Sequence, residues 1–387
     1  MHKIKFYPVG NGDTSQIILS NNKRILMDYR QHPSGTDSAR PEIDLKESLT
    51  TELASANLDF FDVVMFTHAD KDHIEGCTEF FYLEHAQKYQ SADRIKIKEL
   101  WVPAAMLLES VTIDERSDEF AILRAEARYR LRTGEGIKIF SKPDSLIQLM
   151  QSYDIGMNER DYLFVDAGTI VDTFSLKNDG VEFFCHSPYK KHCDDGARKE
   201  IRNESALIFN VRFKKDDLIY DLFASGDSTC EVLADIVNIT EYHGNEDRLA
   251  WNIYSLPHHC SYLALAPSGE KGKTKTIPTD EVKRLLLSGK PNGYILSSSH
   301  PIGRDDAAYE SIQPPHVQAK NTYLDIVDEI KGRKFLVTME EPNNTCPKPT
   351  TFEISAYGLS LVKSTVAAAT LAAAASPARA GICKNGG

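Results

Sequence analysis

Short apolar runs rich in β-branched and aromatic residues alternate with polar turns along this chain, and they predict a series of strands. Runs at residues 3–7, 16–19 and 24–27, separated by Gly/Asn/Asp turns, predict an N-terminal β-meander. Later runs predict strands at residues 63–66, 95–103, 171–174, 181–184, 217–224, 252–257, 293–298, 334–338 and 351–354. Helical periodicity predicts helices at residues 44–56, 77–90, 229–236 and 319–330.

Two segments depart from this alternation. Residues 104–157 are charged and helical in pattern, with an amphipathic helix at 118–132, and we interpret them as an insert. The insert has three interpretations: a lid, a dimer surface, or an embellishment that only packs. Residues 363–387 form an alanine-rich, low-complexity tail that is too short and too interrupted to span a membrane. We expect the tail to be disordered or to contact a protein partner.

Composition narrows the class of protein. The chain has 387 residues, of which 41% are hydrophobic and 26% charged, as in an ordinary soluble globular protein. We expect no membrane span and, because the N-terminus lacks the apolar core of a signal peptide, a cytoplasmic location. Seven cysteines without CxxC spacing indicate reduced thiols. The formal charge of −11 argues against a broad basic surface for nucleic acid, although a local groove can still be basic.

Four residues that can bind metal follow the predicted strand at 63–66. They are His68, Asp70, Asp72 and His73, and alternate side chains of an extended segment face the same way. Imidazole and carboxylate together suit Zn²⁺, Mn²⁺ or Fe²⁺. A polar, solvated turn is the alternative, but four such residues within six positions favour a metal site.

The segment THADKDHIEG at residues 67–76 resembles the HxHxDH signature of the metallo-β-lactamase superfamily, with Asp70 in place of the second histidine. This form resembles the hydrolase domain of ComEC-type DNA-uptake proteins and their stand-alone relatives. The resemblance implies an αββα sandwich over residues 1–362, with two mixed sheets face to face, helices outside and 104–157 as a helical insert. It also implies that His68 and Asp70 hold one metal ion, and that Asp72 and His73 hold a second.

Motifs near the N-terminus and in the middle of the chain extend the resemblance. PVGNGDTSQIIL at residues 8–19 is similar to the family's VGQGD motif, which implies that Asp13 supports the metal ligands; capping of a turn is the alternative. ILMDYR at 25–30 is similar to the strand that follows, so Asp28 is expected to buttress the loop. NESALIFNVRF at 203–213 resembles a strand motif that places Asn203 where many superfamily members carry a histidine ligand.

Two further motifs complete the expected site. SGDS at residues 225–228 resembles the family's GD motif, which implies that Asp227 bridges both ions; the alternative is an N-cap for the helix at 229–236. PHHCS at 257–261 resembles the motif that supplies the last ligand. Spacing does not distinguish the two histidines, and we assign metal binding to His258 and proton donation to His259.

The resemblance implies a hydrolase that uses two divalent ions, zinc or manganese, to activate water against phosphorus or carbonyl carbon. Asp72 or Asp227 accepts the proton, and His259 protonates the leaving group. The ComEC-like motifs favour a phosphodiesterase or nuclease. Two alternatives stay open: a hydrolase of small esters, lactones or cyclic nucleotides, and a degenerate binding module, because Asn203 replaces a common ligand.

A basic cluster precedes Asn203. Lys190, Lys191, Arg198 and Lys199 lie close together in the sequence, and we predict that they bind a nucleic acid or another phosphodiester substrate. A solvated charged face is the alternative interpretation. The sequence does not indicate the oligomeric state.

Overall fold

The computed structural model describes residues 1–37, 39–109, 118–193 and 202–363. Its strands are β1 (His2–Phe6), β2 (Ser15–Ile18), β3 (Arg24–Met27), β4 (Phe60–Met65), β5 (Lys96–Pro103), β6 (Ile137–Phe140), β7 (Phe164–Val165), β8 (Val181–Ser187), β9 (Ile208–Lys215), β10 (Leu218–Ala224), β11 (Trp251–Ser255), β12 (Gly289–Ser297), β13 (Lys334–Val337), β14 (Thr350–Ser355) and β15 (Gly358–Leu361). Arg198, Lys199 and residues 364–387 of the tail lie outside the described residues.

The α-helices of the described residues are α1 (Leu45–Ser55), α2 (Lys71–Ile74), α3 (Cys77–Phe80), α4 (Ala104–Leu108), α5 (Asp118–Thr133), α6 (Asp144–Gln151), α7 (Lys190–Cys193), α8 (Cys230–Tyr242), α9 (Asp280–Leu287), α10 (Asp306–Glu310) and α11 (Val317–Glu329). No described helix is both long enough and apolar enough to cross a membrane.

The described strands form two mixed sheets. One has nine strands in the order β15-β14-β1-β2-β3-β4-β5-β6-β7, and the other has six in the order β13-β12-β11-β10-β9-β8. In the first sheet β1 to β3 form an antiparallel meander and β3 to β6 run parallel. The second sheet repeats this arrangement, since β8 to β10 are antiparallel and β10 to β13 are parallel.

Three apolar clusters define four layers. The middle cluster joins the facing sides of the two sheets, for example Val63 and Trp101 of the first sheet with Phe209 and Ile253 of the second. A second cluster packs α1 and α5 on the outer side of the first sheet. A third packs α8, α9 and α11 on the outer side of the second sheet. Because each sheet has one apolar face toward its partner and one toward helices, the predicted αββα sandwich is confirmed.

Strand ends from both sheets meet at one edge of the sandwich. The loop after β4 carries residues 66–70, the loop after β10 carries 225–229 and the loop after β11 carries 256–261. The backbone carbonyl of Thr67 accepts a hydrogen bond from Leu207 N at 2.9 Å, so the sheets are joined beside these loops. The β1–β2 turn closes on the same edge, because Asp13 N donates to Asp72 O at 3.3 Å.

Some predicted elements are wrong. The helix expected at 77–90 ends at Phe80, because the chain extends so that Phe81 bridges Ile95 and buries its ring. The strand expected at 171–174 is a turn with only an isolated bridge at Ile170. The segment 104–157 also contains a strand, since β6 pairs in parallel with β5. These differences come from packing against the sheet, which local sequence patterns do not report.

Candidate metal centre

The side chain of Asp227 is surrounded by three imidazole nitrogens. Its Oδ1 lies 3.4 Å from His73 Nε2, and its Oδ2 lies 3.9 Å from His68 Nε2 and 3.6 Å from His259 Nε2. All four side chains are buried. They come from the loops that follow β4, β10 and β11 and, for His73, from the short helix α2 after β4, so residues distant in sequence converge because the strand ends coincide.

Hydrogen bonds determine which nitrogen of His73 and of His68 faces Asp227. The carboxylate of Asp28 accepts from Thr67 N and Thr67 Oγ1, each at 2.7 Å, and it lies 2.8 Å from His73 Nδ1. Nδ1 of His73 therefore carries a proton. Thr67 Oγ1 donates its only proton to Asp28. In the 3.1 Å contact between Thr67 Oγ1 and His68 Nδ1, the oxygen is therefore the acceptor and Nδ1 is the donor. The Nε2 atoms of both rings are buried and lack hydrogen-bond partners among the described residues.

The third ring, His259, has the same orientation. A carbonyl oxygen can only accept, so the 2.8 Å contact between Ser298 O and His259 Nδ1 places a proton on Nδ1. His259 Nε2 lies 2.9 Å from Asp72 Oδ2. A nitrogen lone pair and a carboxylate oxygen repel at that distance unless a proton or a metal ion lies between them. His259 Nε2 therefore holds either a proton or a metal ion.

One compact group satisfies the spacing of a metal site. Ligand atoms of Asp13, His73, Asp227 and His259 all lie within 4.8 Å of one another. The sequence predicted that Asp13 supports the ligands or caps a turn. In the structure Asp13 lies among the ligand-type residues themselves, with its Oδ2 4.0 Å from His73 Nε2. Burial raises the pKa of Asp13 to about 6, although the positive charges of His259 and His73 act in the opposite direction. No sequence signal other than the turn motif itself indicated a place in this group.

The structure separates the two histidines of the PHHCS motif. His259 is one of the four residues with clustered ligand atoms. His258 is half-buried, and it contacts Asp227 through its backbone N–H, which lies 3.2 Å from Oδ1, rather than through its ring. His258, His259 and Cys260 have φ angles of 49°, 52° and 66°. Three successive left-handed residues form a tight turn that directs the two rings differently, with ring planes at 88°.

The buried groups shift one another's pKa values. Burial disfavours charge on His73, but Asp227 and Asp28 outweigh it and raise the pKa of His73 well above its ordinary value. Burial likewise opposes charge on His259, yet Asp227 and the hydrogen bond to Asp72 raise the pKa of His259 to about 9. Burial and the charge of His73 lower the pKa of His68. Metal binding at His73 and His259 would therefore displace protons, whereas at His68 it would not.

Asp70 lies at the rim and is paired with an arginine. Its Oδ2 lies 3.6 Å from His68 Nε2, while its Oδ1 accepts from Arg202 Nη1 at 2.7 Å. Arg202 is itself held by Glu109, whose two oxygens each lie 3.0 Å from Nε. The neighbouring Asn203 has a buried Oδ1 without a hydrogen-bond partner among the described residues. The ligands predicted for the first ion thus sit beside an arginine that two carboxylates hold in place.

The predicted substrate residues that the structure describes are already paired. Lys190 Nζ lies 2.7 Å from Asp144 Oδ1, and Lys191 forms an ion pair with Asp235. Both lysines are exposed. Their role in substrate binding stays a prediction.

No model of a known protein family matches the chain, and no curated protein matches it. Among solved structures the chain is similar to Igni18, a metallo hydrolase from the archaeon Ignicoccus hospitalis, with 13% identity, a TM-score of 0.38, and coverage of 91% of this chain and 99% of that one. It is similar to the metallo-β-lactamase GOB-18 from Elizabethkingia meningoseptica, with 12% identity, a TM-score of 0.30, and coverage of 84% and 86%. It is also similar to a diphosphatase of the PhnP family, with 11% identity, a TM-score of 0.29, and coverage of 82% and 96%. At these scores the similarities do not by themselves assign a function to this chain.

Proposed function

We propose that this protein is a metal-dependent hydrolase that cleaves phosphodiesters with two divalent ions. One observation carries the proposal: the Nε2 atoms of His68, His73 and His259 all lie within 4 Å of the Asp227 carboxylate. In each ring Nδ1 contacts a protein oxygen, so Nε2 is the nitrogen that faces Asp227 and would bind a metal ion, which at His73 and His259 would displace a proton.

The ligand sets follow from these contacts. His73, His259 and Asp13, with Asp72 hydrogen-bonded to His259, surround one position. His68 and Asp70 border the other, and Asp227 reaches both. Nitrogen and carboxylate ligands in this mixture suit zinc or manganese. When bound, such ions supply an activated water and neutralise developing negative charge on the substrate.

The remaining residues orient groups and move protons. Asp28 and Ser298 hold the rings of His73 and His259 through Nδ1, so Nε2 of each ring faces Asp227. Because His259 is assigned to metal binding here, His258 is the imidazole left to protonate the leaving group. Arg202, which is itself paired with Glu109, holds Asp70 in place at the rim.

Paired lysines favour a small substrate as the second candidate. Lys190 and Lys191 already have carboxylate partners, and the whole chain carries a formal charge of −11. A polynucleotide needs unpaired positive charge along its path, whereas a cyclic nucleotide or another small phosphodiester needs only the metal centre.

A substrate panel with wild-type protein and Asp227→Asn tests the proposal. The panel contains bis(p-nitrophenyl) phosphate, single- and double-stranded DNA, RNA, a cyclic nucleotide and a lactone. We expect phosphodiester hydrolysis that a chelator removes, that zinc or manganese restores, and that Asp227→Asn lacks. Hydrolysis that survives both the chelator and Asp227→Asn would overturn the metal assignment. Activity on the lactone alone would overturn the phosphodiester assignment.

A second experiment separates the two substrate sizes. Lys190, Lys191, Arg198 and Lys199 are changed together to Ser, and the control changes Lys273 and Lys283, exposed lysines of other loops and helices, to Ser. If the substrate is a polynucleotide, the first variant binds it more weakly and with a smaller salt dependence, while hydrolysis of bis(p-nitrophenyl) phosphate is unchanged. Equal binding by both variants would favour the small substrate.

A further inference from the structure

We propose a second metal site, formed by His32, Glu42 and His300, that binds one divalent transition-metal ion of the zinc type. Its residues come from the loop between β3 and α1 and from the loop after β12. None of them belongs to the metal centre around Asp227. The site therefore stands independently of the proposed function.

The three side chains have the spacing that a metal ion requires. One nitrogen of each ring and one oxygen of Glu42 all lie within 4.8 Å of one another. The ring planes of His32 and His300 are nearly perpendicular, at 87°, with centroids 6.4 Å apart. Glu42 is buried, whereas both histidines are half-buried, so an ion can enter from solvent. Two imidazoles and one carboxylate on one side, with the other side open, form a common transition-metal ligand set.

Hydrogen bonds prepare His32 for metal binding. Ser34 Oγ has one proton and donates it to Glu42 Oε2 at 2.8 Å. Ser34 Oγ also lies 2.6 Å from His32 Nδ1, and Ser34 N donates a hydrogen bond to the same nitrogen at 3.1 Å. Ser34 thus orients both the ring, through Nδ1, and the carboxylate, whereas Nε2 of His32 lies outside these contacts.

His300 is held by its backbone, and its ring remains available. Its N–H donates to Asn11 Oδ1 at 2.8 Å, and Asn11 Nδ2 donates to Pro314 O at 2.8 Å. The ring lies against Gly10, where an added Cβ would lie 2.8 Å from Cε1, so the glycine makes room for it. Within the part of the chain that the structure describes, no hydrogen bond is made by either ring nitrogen of His300.

The charge states also suit a metal ion. Burial lowers the pKa of His32 and of His300, so both rings are neutral at pH 7, which is the form that binds metal. Burial opposes charge on Glu42, but the hydrogen bond from Ser34 lowers the pKa of its carboxyl below the ordinary value. Two neutral imidazoles and one anion therefore face the same space.

An ion at this site would connect segments that are distant in sequence. It would tie the loop of His32 and Glu42 to His300, which Asn11 already links to the β1–β2 turn. That turn also carries Asp13 of the first metal centre. The second ion would thus hold in place a turn that the first centre uses, without touching substrate.

Metal titration of full-length protein tests this site. The first centre is disabled by Asp227→Asn with His259→Asn, and zinc and cobalt are titrated into that double variant by calorimetry and by visible absorption. We expect one remaining equivalent of metal per chain. Adding His300→Gln or Glu42→Gln should remove it, and Ser34→Ala should weaken it by about 10–100-fold. His243→Gln, at an exposed position, is the matched control and should change nothing.

The outcomes distinguish the two sites. If the double variant binds no metal while wild-type protein does, the second site is wrong and the proposed function is unaffected. Residual binding that survives both His300→Gln and Glu42→Gln would also refute the second site. Glu42→Gln preserves the size of the side chain, and circular dichroism of each variant excludes unfolding as the cause of a loss.

Discussion

Asp28 Oδ2 lies 2.8 Å from His73 Nδ1, and this contact turns Nε2 of the ring toward Asp227. The φ angle of Asp28 is 56°, a left-handed conformation that Asn also adopts readily. Asp28→Asn therefore keeps the backbone but removes the negative charge behind the ring. We expect zinc affinity, measured by competition with a chelating dye, to fall by about 10–100-fold. Unchanged affinity would show that the contact does not tune His73.

Asp72→Ala should remove hydrolysis and most of the bound metal while the protein stays folded. The side chain contacts His259 Nε2 at 2.9 Å, so its loss takes away both a carboxylate and the partner that orients that ring. The sandwich core is formed by other residues. Metal content by mass spectrometry and far-ultraviolet circular dichroism measure the two effects. Full activity at limiting metal would contradict a role for Asp72 in metal binding.

His258→Asn and His259→Asn form a matched pair, because both positions have positive φ angles that Asn accommodates. We expect His259→Asn to lower metal affinity. His258→Asn should keep the metal but slow hydrolysis by about 10²–10⁴-fold, the usual contribution of a general acid. The comparison needs metal content and kcat for each variant. Metal loss in His258→Asn alone would return the ligand role to His258, as the sequence first indicated.

His186 should make stability depend on pH. Burial lowers its pKa from 6.5 to about 4, and the ring contacts Arg248 O at 3.0 Å. Between these values the unfolded chain binds the proton and the folded chain does not, so stability is complete above pH 6.5 and declines as the pH falls toward 4. The loss amounts to about 3 kcal/mol.

Urea unfolding at several pH values, with metal removed by a chelator, measures this contribution. His186→Gln retains a donor for the carbonyl of Arg248 but does not titrate, so its stability should decline less across the same interval. His243→Gln, at an exposed position, should decline as the wild type does. Equal slopes for the wild type and His186→Gln would refute the prediction.

The sequence predicted those parts of the fold that local patterns determine. The run at 63–66 and the motif after it identified β4 and the loop that carries His68 and His73, because an apolar β-branched run followed by metal-binding residues is a local signal. The segment 77–90 was mistaken for a helix because Phe81 and Leu83, after the end of α3, enter the core from an extended chain. Only the contact with Ile95 in the folded protein reveals this.

In the candidate site too, local patterns predicted some features, whereas others depend on the folded chain. Spacing in the sequence does not distinguish His258 from His259, since their orientations depend on three successive positive φ angles. The position of Asp13 depends on how the β1–β2 turn folds against Asp72, which is a contact between distant segments. Residue types were therefore predictable, whereas the direction of each side chain was not.

The metal centre draws its side chains from both sheets. Asp13 lies in the β1–β2 turn and His73 in α2 after β4, both next to the nine-stranded sheet, whereas Asp227 and His259 follow strands of the six-stranded sheet. An ion bound by all four side chains would link the two sheets of the sandwich. By mass action, free metal at 100 times its dissociation constant would add about 2.7 kcal/mol to the resistance of the protein to unfolding. Removal of the metal would then weaken the contact between the two sheets at the edge that carries the candidate centre, and faster protease digestion there would report it.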